Sequence, residues 1–297
     1  MIAPDQTSVF EATSLTKKFG DTTALNSVTL SLGAHRVIGL IGRNGGGKTT
    51  LIQHMIGLYL PTEGTCKTLG RACDQLGANE LSRIGVVHQE NRFFEWMTVE
   101  QHLRYVSSFY EIWDRDLEAH LLRELELETS ARVGNLSSGN MQKLGIILAV
   151  CHHPELLILD EPVSGLDPIA RETLLKFLMT LLAEDKNTIV ISSHILRDIE
   201  KIVDWVVCLD EGKVKADKSL DDLHQTYAKW TLMGNNLPQR FSEPYILSQT
   251  VNGVQAQLIV NQTLGNADQF KRTYQADITS QSLNLDQLFP ILIREDS

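Results

Sequence analysis

Apolar and polar positions alternate through residues 8–32, in Val9-Phe-Glu-Ala-Thr-Ser-Leu15 and again in Ala24-Leu-Asn-Ser-Val-Thr-Leu-Ser-Leu32. A period of two belongs to strands with one buried face, so the chain is predicted to open with an antiparallel β layer turning at Gly20-Asp21. Short apolar runs follow at residues 36–41, Ile84–Val87, Leu156–Leu159, Thr188–Ile191 and Trp205–Leu209. Such runs fit strands covered on both faces, and the helical segments between them, such as 170–183, imply a largely parallel sheet with helices packed on it.

From Thr98 the period lengthens. Thr98-Val-Glu-Gln101 reads as a capping box, and Leu117, Leu121 and Leu125 recur along one helix face, which predicts an inserted helical subdomain over about residues 93–150 whose leucines make core. A hairpin is expected near Asp210–Lys213, followed by a closing helix over 220–227. The composition then turns rich in Asn, Gln and Thr. Two strands around Val251-Asn-Gly253, a helix over 267–274, a further strand and a final helix make residues 229–297 a small α/β domain. The expected domains are therefore 1–225 and 229–297.

A length of 297 residues with 42% hydrophobic and 22% charged residues accommodates one large and one small domain. A net charge of −10 argues against a broad nucleic-acid surface, which needs Lys and Arg to displace counterions from phosphates. Met1–Ser8 has no cationic head and apolar core, so no secretory signal is expected. No run approaches the roughly 20 apolar residues that cross a bilayer; the richest, 174–183, carries Lys176. Cys66, Cys73, Cys151 and Cys208 lack metal-ligand spacing and read as reduced cytosolic thiols. His152-His153 before Pro154 reads as a helix-ending turn rather than a metal site.

The first chemical signal is Gly42-Arg-Asn-Gly-Gly-Gly-Lys-Thr49, set between a predicted strand and a predicted helix that stops near Gly57. Gly42, Gly45, Gly46 and Gly47 let backbone N–H groups, with that of Asn44, turn inward around phosphates. Lys48 adds a point charge, Thr49 a ligand for Mg²⁺, and the helix N-terminus, with Thr50, a favourable field for the anion. A second signal is Leu156-Leu-Ile-Leu-Asp160-Glu161, an apolar strand ending in two acids. Asp160 is suited to hold Mg²⁺ or its waters and Glu161 to polarise a water for attack on a γ-phosphate.

With these residues in place the chain resembles the nucleotide-binding subunit of ATP-binding cassette (ABC) transporters over about residues 8–225. Beyond the phosphate loop (Walker A) and the acidic strand (Walker B), the resemblance rests on Gln89 at the Q-loop position, Leu136-Ser137-Ser138-Gly139-Asn140 at the signature, Ser164-Gly-Leu-Asp167 at the D-loop and His194 at the switch histidine. It implies an α/β fold, a P-loop NTPase of the ABC type with an antiparallel β layer and a helical subdomain. ATP and Mg²⁺ are the implied ligands. Gln89 is implied at the metal and the reacting centre, His194 at the γ-phosphate, and Phe19 against the adenine.

Ser137, Gly139 and the N-terminus of a helix expected over Met141–Val150 are implied to bind an ATP held by a second cassette, with Asp167 along that interface. A homodimer is favoured, and a heterodimer is the alternative. Family signatures usually read Leu-Ser-Gly-Gly-Gln, so Ser138 and Asn140 depart from the pattern, and a side chain at 138 restricts approach to phosphate.

The resemblance further implies a separate transmembrane permease subunit and a place for this chain at the cytoplasmic face of the inner or plasma membrane. Family members receive the permease near Asn91–Met97, a segment that reads equally as core between subdomains. The nearest variants are stand-alone ATPases of ABC-2 type exporters. A soluble cassette ATPase acting on DNA or ribosomes is the rival, but the coiled coil, zinc modules or second cassette usual there are missing. A small-molecule kinase leaves the signature, D-loop and His194 unexplained.

Overall fold

The computed structural model describes residues 8–163, 165–183 and 187–294, without the side chains of 181–183. Ser164 and the first seven residues, on which part of the D-loop and signal-peptide readings rests, lie outside the described residues. The chain divides into two compact units, Met1–Asp217 and Lys218–Ser297.

In the first unit, β1 (Ser8–Phe19) and β2 (Thr22–Gly33) form the expected hairpin, joined at Gly20. They share a sheet with β4 (Glu63–Thr68) and β5 (Arg71–Ala72), in the order β2-β1-β4-β5. The alternation in sequence becomes alternation in burial: Ala12, Leu25, Leu30 and Leu32 are buried between exposed or half-buried neighbours.

The second sheet of this unit contains β3 (Val37–Ile41), β6 (Ile84–Val87), β7 (Leu156–Asp160), β8 (Thr188–Ser192), β9 (Trp205–Asp210) and β10 (Lys213–Ser219), in the order β10-β9-β3-β8-β7-β6. The pairs β9/β3, β3/β8, β8/β7 and β7/β6 are parallel. Every residue of β3, β7 and β8 is buried, as runs without a polar phase require. Because these strands run the same way, the residues after β3, β6, β7 and β8 emerge on one edge of the sheet. In open parallel sheets that edge is where ligands bind.

Helix α1 (Lys48–Met55) leaves β3 through the glycine loop, and α2 (Ala78–Leu81) precedes β6. The helical insertion comprises α3 (Val99–Ser107), α4 (Arg115–Glu124) and α5 (Ser138–Val150). Thr98 caps α3 as expected: its Oγ1 accepts from the N–H of Gln101 at 3.2 Å, and Gln101 Oε1 accepts from the N–H of Thr98 at 2.9 Å. In the leucine stripe Leu121 and Leu125 are buried and Leu117 half-buried. Helix α6 (Pro168–Ala183) buries Ala170, Leu174 and Leu178 at one-turn intervals, and the short α7 (Leu196–Ile199) follows β8. After α5, His152 is buried and stacked on Tyr110 at 4.2 Å, and His153 takes a left-handed φ of 52°. The pair therefore ends the helix.

The second unit differs from the sequence expectation in two ways. Helix α8 (Leu220–Thr226) packs with β11 (Tyr227–Met233) and belongs to this unit, so the division falls at Asp217/Lys218 rather than between 225 and 229. The strand β11 itself was absent from the expectation. It is the inner strand that pairs with both β13 (Gln255–Asn261) and β14 (Asp277–Ser282), in the sheet order β12-β13-β11-β14 with β12 (Ile246–Asn252) at the edge. Helices α9 (Ala267–Tyr274) and α10 (Leu285–Leu292) complete it. Trp230 on β11, 1% exposed, meets Phe270 of α9 edge-on at 5.6 Å and anchors this core.

Candidate functional site

The carboxyl ends of the parallel strands surround a cleft of about 390 Å³ lined by Ala24, Asn44, Gly45, Gly47, Lys48, Thr49, Thr50, Gln89, Asp160, Glu161 and His194. Residues far apart in sequence meet here because β3, β6, β7 and β8 all deliver their following loops to the same edge.

The glycine loop is held by close backbone packing. Gly47, the N-cap of α1, has φ +106°, and a Cβ there would lie 2.6 Å from the carbonyl oxygen of Ala24. The N–H of Gly212, in the β9–β10 turn, donates to the Gly46 carbonyl at 3.1 Å, and the N–H of Asn26 donates to Gly212 at 2.8 Å. A Cβ at Gly46 would stand 2.9 Å from the Leu209 carbonyl, whereas one at Gly45 would meet nothing within 4 Å. The loop is thus anchored through Gly46 and Gly47 and open at Gly45.

No side chain caps α1 and no acid occupies its first turn. Its leading N–H groups are left for an anion. Lys48, 7% exposed, folds its ammonium onto the carbonyl oxygens of Gly42 at 2.8 Å and Arg43 at 3.1 Å. Burial lowers its pKa, opposed by the charges of Glu161 and Asp160.

Asp160 ends β7 in register with Ser192 of β8. The Ser192 hydroxyl donates to Asp160 Oδ1 at 2.6 Å and accepts the N–H of Glu161 at 2.9 Å. Glu161 sits at φ +52°, a strained conformation for a residue with a side chain, of the kind that persists where surrounding structure over-determines it. Its carboxylate, 7% exposed, lies with Oε2 2.6 Å from Nδ1 of His194 and accepts the His194 N–H at 3.3 Å. Ser192 and Ala24 were missed in the sequence; Ser192 ends a buried strand, but only strand pairing sets it beside the acids.

Thr49, Gln89 and Asp160 line the same cleft and offer only a few oxygen donors, a hydroxyl, an amide oxygen and a carboxylate. Such a sparse donor set fits Mg²⁺, which keeps several waters and takes phosphate oxygens, better than a metal caged by protein alone.

Gln89 lines the cleft just beyond β6, next to His88, whose pKa burial pushes down. The loop is tied to α5: the Asn91 amide donates to Gln142 Oε1 at 2.8 Å, and a Cβ at Gly145 would stand 3.0 Å from Asn91 Nδ2. Phe19 lies outside the cleft lining. It is 44% exposed at the end of β1, edge-on to Tyr59 at 5.3 Å, with Lys17 Nζ 5.1 Å from its ring centre.

The signature residues also lie outside this cleft, at the start of α5. Contrary to the expected start at Met141, the helix begins at Ser138, because Ser137 caps it by accepting the Asn140 N–H at 3.2 Å. Gly139 is therefore within the first turn, where a Cβ would lie 2.8 Å from the Gly165 carbonyl. Gly165, with φ +78°, leaves room for Ser138, whose Oγ would be 3.2 Å from a Cβ placed there. Asp167 Oδ1 accepts the N–H groups of Ile169 and Ala170, each at 2.9 Å, and the bond from Ala170 chiefly holds its pKa down.

Comparison with known proteins gives consistent matches. The family described as "ABC transporter" matches residues 25–164. The "Bacitracin transport ATP-binding protein BcrA" of Enterococcus faecalis is 35% identical over 225 residues, covering 75% of this chain and 73% of that protein. The "Nod factor export ATP-binding protein I" of Rhizobium meliloti (strain 1021) is 33% identical over 211 residues, covering 69% and 63%. Among solved structures, an "ATP binding subunit of ABC transporter" superposes with a TM-score of 0.67 at 31% identity, covering 73% of this chain and 92% of that one.

Proposed function

Because the chain belongs to the ABC transporter family, in its class of ATP-binding proteins, we propose that it binds and hydrolyses ATP to drive export through a separate transmembrane subunit. One observation carries this reading. Lys48 and the α1 N-terminus, made for phosphate, share a cleft with Asp160, Glu161, Gln89 and His194, made for metal, water and proton handling.

In this reading the loop N–H groups and Lys48 hold the β- and γ-phosphates. Thr49, Asp160 and Gln89 would hold Mg²⁺, which would neutralise charge on the phosphates. Glu161 orients and polarises the attacking water, and His194 positions Glu161 through the 2.6 Å contact. Phe19 flanks the adenine. Lys17, over the Phe19 ring, strengthens that end of the site.

A second copy of this chain supplies the other face of the triphosphate through Ser137, Gly139 and the start of α5. Ser138 is compatible with this role because it packs toward Gly165 of its own chain. The permease docks where Phe94, Trp96, Tyr105 and Phe109 stand exposed, linked by edge contacts from Phe94 to Tyr105 at 5.5 Å and Tyr105 to Phe109 at 5.1 Å. No helix among the described residues is long and apolar enough to cross a membrane; in this reading the chain sits peripherally at the cytoplasmic face, held by the permease. Export is favoured by the Nod factor export relative, and transport by the bacitracin transport relative.

The test is the Glu161→Gln protein. It is expected to bind ATP, form an ATP-dependent dimer by light scattering and release almost no phosphate. Parental phosphate release would overturn the assignment of Glu161, and a monomer at saturating ATP would overturn the homodimer.

A further inference from the structure

Outside the ATP site, two buried thiols stand against each other. In the β4–β5 hairpin Lys67 pairs with Ala72 and Thr68 with Arg71. Cys66 precedes Lys67 on β4, and Cys73 directly follows Ala72 and opens the short turn Cys73–Gln75, so the two thiols flank the last paired step of the hairpin. Cys66 is 5% and Cys73 2% exposed, both belong to the same buried cluster, and each perturbs the other's titration. Residues flanking a paired step of an antiparallel hairpin come near enough for the Cα separation of about 4.4–6.8 Å that a disulfide spans.

The pair is also reachable. A cleft of about 330 Å³ beside Leu60, Pro61 and Asp74 has Cys66 in its wall. The other two cysteines lack these features: Cys151 and Cys208 are each 0% exposed, and burial pushes the Cys208 thiol up to about 12 and the Cys151 thiol up as well.

We propose that Cys66 and Cys73 form a reversible intrachain dithiol–disulfide site, oxidised by a peroxide of hydrogen-peroxide size entering past Cys66. One sulfur, as thiolate, attacks a peroxide oxygen. The O–O bond breaks, the sulfur becomes a sulfenic acid, and the departing hydroxide takes up a proton as water. The second thiol, giving up its proton, attacks the sulfenic sulfur; the S–S bond forms, the S–O bond breaks, and a second water leaves. The two thiols lose two electrons, and the peroxide gains them.

Thiolate formation at Cys73 is favoured, its pKa lowered chiefly by the hydrogen bond from Cys66, while that of Cys66 is raised. Cys73 also contacts the Thr68 hydroxyl at 3.5 Å, and that hydroxyl donates to the Met55 carbonyl at the end of α1 at 2.6 Å. The link therefore forms directly beneath the helix that begins at Lys48.

The experiment titrates the folded, reduced full-length chain with hydrogen peroxide, blocks remaining thiols with an alkylating reagent, and maps tryptic peptides by mass. Cleavage after Lys67 and Arg71 places Cys66 and Cys73 on different peptides, so a link between them is directly visible. The expected result is a Cys66–Cys73 peptide lighter by two hydrogens, formed more than about tenfold faster than any oxidation of Cys151 or Cys208, and reversed by dithiothreitol. Sulfinic acid at either cysteine without a link, or equal rates at all four cysteines, would overturn the proposal. In Cys66→Ala, Cys73 is expected to stop at sulfenic or sulfinic acid; a disulfide from Cys73 to another cysteine of the folded chain would equally overturn it.

Discussion

The Glu161 carboxylate and the His194 imidazole form one unit: Oε2 lies 2.6 Å from Nδ1 and accepts the His194 N–H at 3.3 Å, at the end of adjacent parallel strands. An acid in that grip is aimed by its partner. Glu161→Gln is expected to lower ATP turnover about a hundred- to ten-thousand-fold, as loss of a general base does, with nucleotide affinity retained. His194→Ala is expected to give a smaller loss. Steady-state phosphate release and nucleotide titration check both, and equal losses of affinity and turnover would contradict the assignment.

Lys48 is buried with its ammonium on the Gly42 and Arg43 carbonyls. Phosphate must recruit that charge, so Lys48→Ala is expected to weaken nucleotide binding by about 1.5–3 kcal/mol, the range for hydrogen bonds to charged groups. Equilibrium titration with a fluorescent ATP analogue reads this. Unchanged affinity would mean the lysine serves only the loop.

Two glycines of the same loop respond differently. Gly47→Ala forces a Cβ to 2.6 Å from the Ala24 carbonyl at φ +106°, whereas Gly45→Ala, at φ +77°, meets nothing within 4 Å. Conformational strain of about 1–3 kcal/mol applies to both, and only Gly47→Ala adds the clash. Urea unfolding is expected to rank Gly47→Ala as clearly the less stable; the reverse order would refute this loop geometry.

Acid should weaken the first unit. Burial lowers the pKa values of His54, His88, His102 and His152 below the ordinary 6.5. The unfolded chain then binds these protons at higher pH than the folded one, so stability is full above about pH 6.5 and lost as pH falls through the lower folded values. The urea midpoint is expected to drop between about pH 7.5 and pH 5.5. His152→Phe, which retains an aromatic ring against Tyr110, should show a shallower drop, and an unchanged slope would remove His152 from this account.

Trp230 fills the core of the second unit, and its truncation should unfold that unit. Trp230→Ala is expected to destabilise it by about 3–5 kcal/mol. Proteolysis should then cut within Lys218–Ser297, which is a separate compact unit. Cleavage confined to residues before Asp217 would contradict this.

Much of the first unit was legible because its residues have one dominant constraint each. The alternation in β1 and β2, the unbroken apolar runs of β3, β7 and β8, and the Thr98 capping box all state their burial or capping directly. The second unit was less legible. Tyr227–Met233 follows a helix without a break, so the inner strand β11 was absorbed into that helix and its flank. The start of α5 was misplaced because its cap, Ser137, sits among residues that also read as a glycine loop.

The sequence by itself determined the local chemistry: a glycine loop ending in Lys48-Thr49, two acids after a buried strand, and a histidine after another. Those properties depend on residue type and short-range spacing. The tertiary structure alone decided that Ser192 bridges Asp160 and Glu161, that Gly212 pins the phosphate loop, that Gly165 leaves room for Ser138, and that Cys66 and Cys73 share one buried cluster beside the β4–β5 hairpin. Each of these depends on the register between segments distant in sequence or across a hairpin, and register is set by packing of the whole sheet rather than by any residue's own preference.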